Sequence, residues 1–373
     1  MTYLSHLECG NCSARHESDR LQSRCVSCSG PLLARYRLTD ALPSLEEVLS
    51  RPPGQHRFHE VLPNATGPDT PTLGEGATPL LAAPGLGPAV WVKDEAQNPT
   101  GSFKARGMAV ALARSVELGA TRFHLPSNGN AGAAAAAYAA LHGVTVTVTM
   151  PANTPEVLVA MAELSGAEVI GVEGTIADAA ALLADRPGFS LATLAEPYRI
   201  EGKKMMGYEV VWDLGRLPDV IFYPTGGGTG LVGMVKAFDE MEQLGWIDSE
   251  RPKMVAVQSD ACAPIVRAFN SGAVEADPWD DPGETKAFGL RVPSAIGDRL
   301  MLSGLRDTGG TAVAVSEDEL ARGTRRLASA TGILGSPEGG ACLAAYEILL
   351  DDGWLTQRDE VVLFNTGAAA NYH

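Results

Sequence analysis

The chain has 373 residues, of which 45% are hydrophobic, and its formal net charge is −16 at pH 7. A chain of this length and composition can bury a large core, which excludes a wholly disordered protein. Its acidity argues against nucleic acid or an anionic membrane as the main partner, because phosphate groups select surfaces rich in lysine and arginine. No apolar run approaches the roughly 20 residues of a membrane span. The first residues also lack a basic region followed by an apolar one, so we predict a cytoplasmic protein.

Four of the six cysteines lie within the first 28 residues, as the pairs Cys9-x-x-Cys12 and Cys25-x-x-Cys28. Two such pairs are typical of a four-thiolate zinc site, in which each pair supplies two ligands from one tight turn. The alternatives are disulfides, which a reducing cytoplasm disfavours, and a redox pair, which usually opens a helix. Basic residues are few in this segment. We therefore predict a structural zinc ribbon that braces a neighbouring domain rather than binding nucleic acid.

Beyond the ribbon, the residue pattern predicts a strand at 32–36, a proline-rich connector that ends near residue 71 and a strand at 89–95. Helices and apolar strands then alternate, which indicates an α/β fold with mostly parallel sheets. The predicted helices are 107–118, 131–142, 155–165, 203–214, 230–244 and 317–331. The predicted strands of this part are 121–125, 144–149, 167–171, 219–223, 253–258 and 360–364.

One lysine stands out because of its position between a tight turn and a helix. Residues 98–107 read NPTGSFKARG, which places Lys104 just after a Pro-Thr-Gly turn and at the start of an alanine-rich helix. A partly desolvated lysine near the positive end of a helix dipole has its neutral form favoured. Such an amine can form a Schiff base with an aldehyde, so Lys104 is a candidate nucleophile. A solvated lysine at a helix terminus is the alternative.

A glycine-rich loop lies between the predicted strand 219–223 and the helix that begins near residue 230. Residues 224–230 read PTGGGTG, and the start of a helix after such a loop offers converging N–H groups to a phosphate. Residues 228–233 also satisfy the dinucleotide pattern G-x-G-x-x-G, so an NAD-dependent oxidoreductase is an alternative. That pattern lies far along the chain and leaves Lys104 without a role. The loop lacks the Gly-Lys-Ser/Thr ending of a P-loop.

Three further segments carry polar residues at positions of interest. Residues 126–132 read PSNGNAG between a strand and a helix, where an anion site competes with a plain Asn-Gly turn. Residues 361–367 read VVLFNTG, a buried strand followed by a turn that contains Thr366. Residues 196–209 concentrate cationic side chains in an acidic protein, among them Arg199, Lys203 and Lys204. A guanidinium there would suit a phosphate bidentately.

Together these segments resemble threonine synthases and related fold-type-II enzymes that depend on pyridoxal phosphate (PLP). In that family the lysine of Ser-Phe-Lys carries the cofactor, so the resemblance implies that Lys104 is both covalent anchor and general base. Asn130 matches an asparagine that meets the 3′ oxygen of PLP, and Thr366 matches a hydroxyl residue that faces the ring nitrogen. The implied contacts to the PLP phosphate are Gly226, Gly227, Gly228, Thr229 and Gly230.

The same resemblance implies the substrate contacts. A Ser/Thr-x-Gly-Asn loop in the family grips the substrate carboxylate, which corresponds here to Ser127 and Asn128. An arginine in an Arg-x-Glu-Gly stretch helps to bind the substrate phosphate, which implies Arg199, with Lys203 as a second contact. Zinc ribbons also precede the catalytic body in many sequences of this family.

The fold implied by the family is tryptophan synthase β-like, with two mostly parallel αβα lobes. For this chain it implies a zinc ribbon over residues 1–37, a connector over 38–71 and a PLP-dependent catalytic body over 72–373. Residues about 108–190 would form the smaller lobe. Family members are commonly dimers, so a homodimer is expected.

The reaction implied is the conversion of O-phosphohomoserine and water to threonine and phosphate, with a small anionic amino acid as the substrate. The alternative keeps the fold and cofactor but changes the substrate, as in cysteate synthase-like and other β- or γ-replacement enzymes or serine/threonine dehydratases. Two departures keep this alternative open. Asn128 and Ala131 stand where the family often has a hydroxyl residue, and residues 368–373 lack its common Gly-Leu-Lys ending.

Overall fold

The computed structural model describes residues 2–38 and 43–372, so residues 39–42 of the predicted connector lie outside the described ranges. The strands are β1 (Leu4–Cys9), β2 (Arg15–His16), β3 (Leu32–Tyr36), β4 (Leu80–Ala82), β5 (Val90–Asp94), β6 (Arg122–Pro126), β7 (Thr145–Pro151), β8 (Glu168–Val172), β9 (Phe189–Ser190), β10 (Val220–Pro224), β11 (Lys253–Ser259), β12 (Thr311–Val315) and β13 (Val361–Asn365). The α-helices are α1 (Leu45–Leu49), α2 (Lys104–Glu117), α3 (Asn130–Leu141), α4 (Glu156–Leu164), α5 (Ile176–Ala181), α6 (Arg199–Leu214), α7 (Thr229–Gln243), α8 (Pro264–Ser271), α9 (Asp298–Asp307), α10 (Glu317–Thr331) and α11 (Pro337–Asp351).

The strands form three sheets. β2, β1 and β3 make a small antiparallel sheet at the N-terminus. The largest sheet has the order β12-β11-β10-β13-β5-β4 and is parallel except for the edge strand β4. The third has the order β8-β7-β6-β9 and is parallel throughout. Because the crossovers of parallel strands place helices on both faces of a sheet, the strands in the middle of the large sheet are buried, as β10 and β13 are along their whole length.

The topology brings three loops to one edge of the large sheet. β5, β10 and β13 are parallel, so the segments that follow them begin at the same edge. These segments are the turn before Lys104, the glycine loop and the turn that contains Thr366. The loop after β6 in the neighbouring sheet leads into α3 at Asn130. Ligands of open α/β sheets bind at the carboxyl ends of the strands, so the fold itself points to this edge.

The predicted α/β class is confirmed, and each helix and strand predicted from residue 89 onward is present with ends within four residues. The strand predicted at 32–36 is present as β3. Several elements were not predicted, and they are β1, β2, β4, β9, β12, α1, α5, α8, α9 and α11. Within the described ranges, no helix combines the length and apolar character needed to cross a membrane.

Candidate active site

Two glycines allow helices α2 and α6 to cross at backbone contact. A Cβ at Gly202 would lie 1.8 Å from the carbonyl oxygen of Arg106, and one at Gly107 would lie 2.8 Å from that of Arg199. Any larger residue would therefore force the helices apart. The close crossing brings the first residue of α2, Lys104, near two cations of α6, which lower its pKa or have their own pKa lowered by it.

The Lys104 amine is buried and largely neutral near pH 7. Burial and the charge of Arg199 lower its pKa to about 7, and the carboxylate of Glu338 opposes both effects. The Nζ atom lies 4.2 Å from the centre of the Phe103 ring. A lysine whose pKa is near neutrality can act both as a nucleophile and as a base that takes up and returns protons.

The glycine loop is pressed against the protein on the side away from the cavity. Added Cβ atoms would lie 2.0 Å from Gly289 O at Gly226, 2.7 Å from a Thr193 methyl at Gly227 and 2.1 Å from Met301 Sδ at Gly228. Gly228 also has φ +76°, a conformation that glycine adopts without strain. The loop is thus a cradle that only glycines can form, and it leads directly into the N-terminus of α7.

The cradle leaves several N–H groups free for an anion. Thr229 and Gly230 are the first two residues of α7, so their N–H groups have no partner within that helix. Among the described residues, the N–H groups of Gly226, Gly227 and Gly228 donate to no backbone carbonyl. Together with the positive end of the helix dipole, these donors suit a phosphate group.

Lys104 and the cradle open onto a single cavity. Three of its walls carry residues predicted from the sequence, namely Lys104 itself, the glycine loop and the pair Asn130 and Thr366. The full lining is Phe103, Lys104, Asn130, Thr193, Tyr223, Pro224, Gly226, Gly227, Gly228, Thr229, Gly230, Gly289, Leu290, Glu338, Thr366 and Tyr372. The structure therefore brings together the residues that the sequence assigned to the cofactor.

The residues assigned to the substrate lie behind the cavity wall. Ser127 is buried, and its hydroxyl accepts hydrogen bonds from the N–H groups of Gly129 and Gly132. The amide of Asn128 donates to Phe288 O over 3.4 Å. Neither residue lines the cavity described above. In this conformation both side chains shape the loop that presents Asn130.

Arg199 and Lys203 also lie just outside the lining. Arg199 Nη1 donates to Leu191 O (2.6 Å) and to the hydroxyl of Thr193 (3.3 Å), a residue that does line the cavity. Its Nε is buried and has no partner among the described residues. Lys203 Nζ donates to the hydroxyl of Thr229 in the cradle (2.6 Å) and lies 4.6 Å from the centre of the Phe103 ring.

Burial acts on the pKa values of all these groups. It lowers the pKa of Arg199 to about 10 and that of Lys203 well below its usual value, where the charge of Lys104 lowers it further. It raises the pKa of the neighbouring Glu196 carboxyl to about 7. A cluster of three cationic side chains with so little solvent is electrostatically suited to a dianionic ligand.

Sequence reasoning missed two polar residues of the cavity. Glu338 is buried at the start of α11; its Oε1 accepts from the N–H of Gly289 (2.9 Å), and its Oε2 has no partner among the described residues. Tyr372 stacks on Phe288 with ring centres 5.6 Å apart. The Ser-Pro-Glu start signal at 336–338 marks a helix N-terminus, but no local signal places it beside Lys104.

The four N-terminal cysteines converge at one point. Their sulfur atoms all lie within 4.8 Å of one another, and neighbouring pairs are 3.4 to 3.7 Å apart. Tetrahedral coordination with Zn–S bonds of about 2.3 Å requires sulfur atoms about 3.8 Å apart. The spacing of the thiols therefore fits a tetrahedral zinc ion.

Comparisons with known proteins agree with this geometry. The family described as "Pyridoxal-phosphate dependent enzyme" matches residues 71–367. The threonine synthase of Methanosarcina acetivorans is 34% identical over 374 residues, which cover 98% of this chain and 91% of that protein. The threonine synthase of Methanocaldococcus jannaschii is 32% identical, with 96% of this chain and 91% of that protein covered.

Solved structures with a similar fold include other enzymes. A threonine deaminase whose source is abbreviated "T.th." aligns with a TM-score of 0.65 and 26% identity over 87% of this chain and 98% of that one. Maize serine racemase aligns with a TM-score of 0.66 and 19% identity over 78% of this chain and 88% of that one, which supports the fold alone.

Proposed function

Because this chain belongs to the pyridoxal-phosphate dependent enzyme family, we propose that it is a threonine synthase, which converts O-phosphohomoserine and water to threonine and phosphate. The observation that carries the proposal is the 34% identity to a threonine synthase over 98% of the chain, which includes the cysteine pairs as well as the catalytic body. A PLP-dependent lyase also needs a buried amine beside a phosphate cradle, and Lys104 and the glycine loop meet that need.

The cavity fits PLP in the chemistry of its donors. The glycine cradle would hold the phosphate, Lys104 would hold the aldehyde carbon, and Asn130 and Thr366 would contact the ring oxygen and nitrogen. When bound, PLP supplies an electron sink that stabilises negative charge on the carbon next to the substrate amine. A hydroxyl such as that of Thr366 leaves the ring nitrogen largely unprotonated, which favours elimination and replacement chemistry.

The chain's own residues would move the protons of the reaction. Lys104 Nζ has a pKa of about 7, so it can take a proton from a substrate carbon and return it at physiological pH. The Phe103 ring and the helix crossing exclude water from one side of the amine. The carboxylate of Glu338 faces the same cavity and offers a free oxygen to a cationic or N–H group of the ligand.

We further propose that a phosphate on the substrate is bound from the α6 side. Arg199 is held by Leu191 and Thr193 in a way that leaves its Nε free. Lys203 contacts Thr229, so it adds positive charge behind the cradle. Ser127 and Asn128 would act on the substrate carboxylate through the loop that they shape.

A dehydratase is the second candidate. The threonine deaminase that aligns over 98% of its length is 26% identical, and its cavity chemistry would need no site for a substrate phosphate. The two candidates differ in whether the α6 cations matter for turnover.

The metal, the domain limits and the assembly are also proposals. We propose that Cys9, Cys12, Cys25 and Cys28 bind one structural zinc ion, because their sulfur spacing fits a tetrahedron. The proposed organisation is a zinc ribbon at 1–37, a connector at 38–71 and a catalytic body at 72–373, with about 108–190 as the smaller lobe. The proposed homodimer can be tested by analytical ultracentrifugation.

Steady-state assays of the PLP-loaded protein with four substrates test the function. O-phosphohomoserine should yield threonine and phosphate at the highest kcat/KM, compared with phosphoserine, serine and threonine. The Lys104→Ala variant should lose turnover by orders of magnitude, while the matched Lys286→Ala variant on the surface should not. Turnover of serine or threonine to an oxo acid, without turnover of O-phosphohomoserine, would favour the dehydratase.

A further inference from the structure

Asn371 lies where the last described turn of the chain meets the cavity. Its Nδ2 lies 3.1 Å from the carbonyl oxygen of Thr100 and 3.4 Å from that of Gly101. Carbonyl oxygens only accept hydrogen bonds, so the nitrogen side of the Asn371 amide must face them. The same nitrogen lies 2.7 Å from an amide atom of Asn130, which must therefore be the acceptor oxygen Oδ1.

The orientation of Asn130 follows from this contact. With Oδ1 turned toward Asn371, the Nδ2 of Asn130 points toward the hydroxyl oxygen of Tyr372, 3.2 Å away. This oxygen is the one acceptor that Nδ2 has among the described residues. An amide nitrogen carries two hydrogens, so one N–H remains available to a ligand of the cavity that Asn130 lines.

Tyr372 is itself fixed at the cavity wall. Its ring stacks on that of Phe288 with an interplanar angle of 11°, and it lines the cavity. Burial and the adjacent Glu338 carboxylate raise the pKa of its hydroxyl well above the usual value, so the hydroxyl keeps its proton. Tyr372 therefore accepts from Asn130 through its oxygen and retains a proton to donate.

We propose that Asn371 and Tyr372 are positioning residues that lock the amide of Asn130 with an N–H directed into the cavity, and that they strengthen cofactor binding through Asn130. The inference rests on the proposed function, because it requires Asn130 to contact PLP. It concerns residues more than 240 positions apart in sequence, joined by the contacts Asn371 to Asn130 and Asn130 to Tyr372.

The test is a mutant cycle on PLP affinity. Apo-protein is titrated with PLP and followed by absorbance, so the reading does not depend on turnover. Asn371→Ala should raise the Kd for PLP about 3- to 10-fold, because one neutral hydrogen bond that orients the amide is lost. In an Asn130→Ala background the same substitution should leave the Kd unchanged within about twofold, since the group that it positions is gone.

Tyr372→Phe provides a second variant that keeps the ring and its stacking. It should raise the Kd about 2- to 5-fold in the wild-type background and leave it unchanged in the Asn130→Ala background. The control is Tyr346→Phe on α11, which lies outside the cavity lining and should leave the Kd unchanged in both backgrounds. If Asn371→Ala does not fold by thermal unfolding, the Tyr372→Phe cycle decides.

Three outcomes would overturn the inference. Equal losses of affinity in both backgrounds would mean that Asn371 and Tyr372 act only on the structure. No loss in the wild-type background would mean that they do not position Asn130. An Asn130→Ala variant with unchanged affinity would remove the group on which they act. In each case the proposed function would stand as long as the wild-type protein binds PLP and turns over O-phosphohomoserine.

Discussion

Two charges beside Lys104 should move its pKa in opposite directions when each is removed. The cation of Arg199 lowers the pKa of Lys104 and the carboxylate of Glu338 raises it, while burial sets the main shift to about 7. Arg199→Met should therefore raise the pKa of Lys104, and Glu338→Gln should lower it. Gln keeps the oxygen that accepts from the N–H of Gly289, so the second substitution removes charge with little change of shape.

The size of each change follows from the surroundings of each charge. A unit charge close to another in a protein interior shifts a pKa by about one unit or more. Removal of Arg199 also releases Glu196, whose pKa of about 7 is held down by that cation, so Glu196 becomes neutral. The net change of local charge is then less than one. We expect the pKa of Lys104 to rise by about half a unit in Arg199→Met and to fall by about one unit in Glu338→Gln.

Competitive acetylation of the apo-protein measures this pKa directly. Only the neutral amine reacts, so the labelled fraction of the peptide that contains Lys104, read by mass spectrometry from about pH 5 to about pH 9, gives the midpoint. Arg326→Met removes a surface cation that pairs with Glu347 and serves as the control with an unchanged midpoint. Shifts of the same sign in both variants, or a higher midpoint in Glu338→Gln, would refute the arrangement of charges described here.

Three further outcomes are expected. Apo Lys104→Met should be more stable to urea than wild type by roughly 3 to 5 kcal/mol below about pH 7; the pKa of Lys104 is lowered in the folded state, so its destabilising effect is full there and disappears as the pH rises to about 10.5. Gly230→Ala, whose Cβ would lie 1.9 Å from the Tyr223 hydroxyl, should lose about tenfold or more in PLP affinity, while Gly171→Ala, with open space around its Cβ, should not. Metal analysis should find about one zinc per chain, lost when Cys9 and Cys12 are both replaced by serine.

The parts of the site that the sequence predicted are those encoded by contiguous residues. The turn before Lys104, the glycine loop and the two cysteine pairs each depend on a few neighbouring residues whose backbone requirements are known. Their convergence on one edge of the sheet followed from the alternation of strands and helices. Glu338 and Tyr372 could not be found this way, because their place in the cavity depends on packing between distant parts of the chain.

The two helices that sequence reasoning misjudged share one physical cause. α6 begins at Arg199 rather than at the predicted 203, and α11 was not predicted. Both contain glycines in their first turns, which disfavour a helix by about 1 kcal/mol each. At Gly202 a Cβ would lie 1.8 Å from Arg106 O, and at Gly340 it would lie 2.0 Å from the Thr324 hydroxyl. Close helix packing therefore selects these glycines despite their low helix propensity.

The contacts of the N-terminal sheet support a bracing role for this part of the chain. The Tyr36 hydroxyl at the end of β3 donates to Glu201 Oε2 over 2.8 Å, two residues after Arg199 on α6. The same carboxylate oxygen pairs with Lys204 (2.7 Å) and Lys236 (2.9 Å), all of them buried. The N-terminal sheet thus contacts the buried charge network that holds the start of α6.

Tyr36→Phe tests this bracing by removing one hydroxyl from that network. A hydrogen bond to a buried carboxylate contributes about 1.5 to 3 kcal/mol, so the free energy of unfolding in urea should fall by that amount. The affinity for PLP should not change, because Tyr36 lies outside the cavity lining. Tyr346→Phe, a buried tyrosine that packs on Phe222, controls for the loss of a hydroxyl elsewhere. A Tyr36→Phe protein as stable as wild type would mean that the lysines alone satisfy Glu201 and that the N-terminal sheet contributes little to the position of α6.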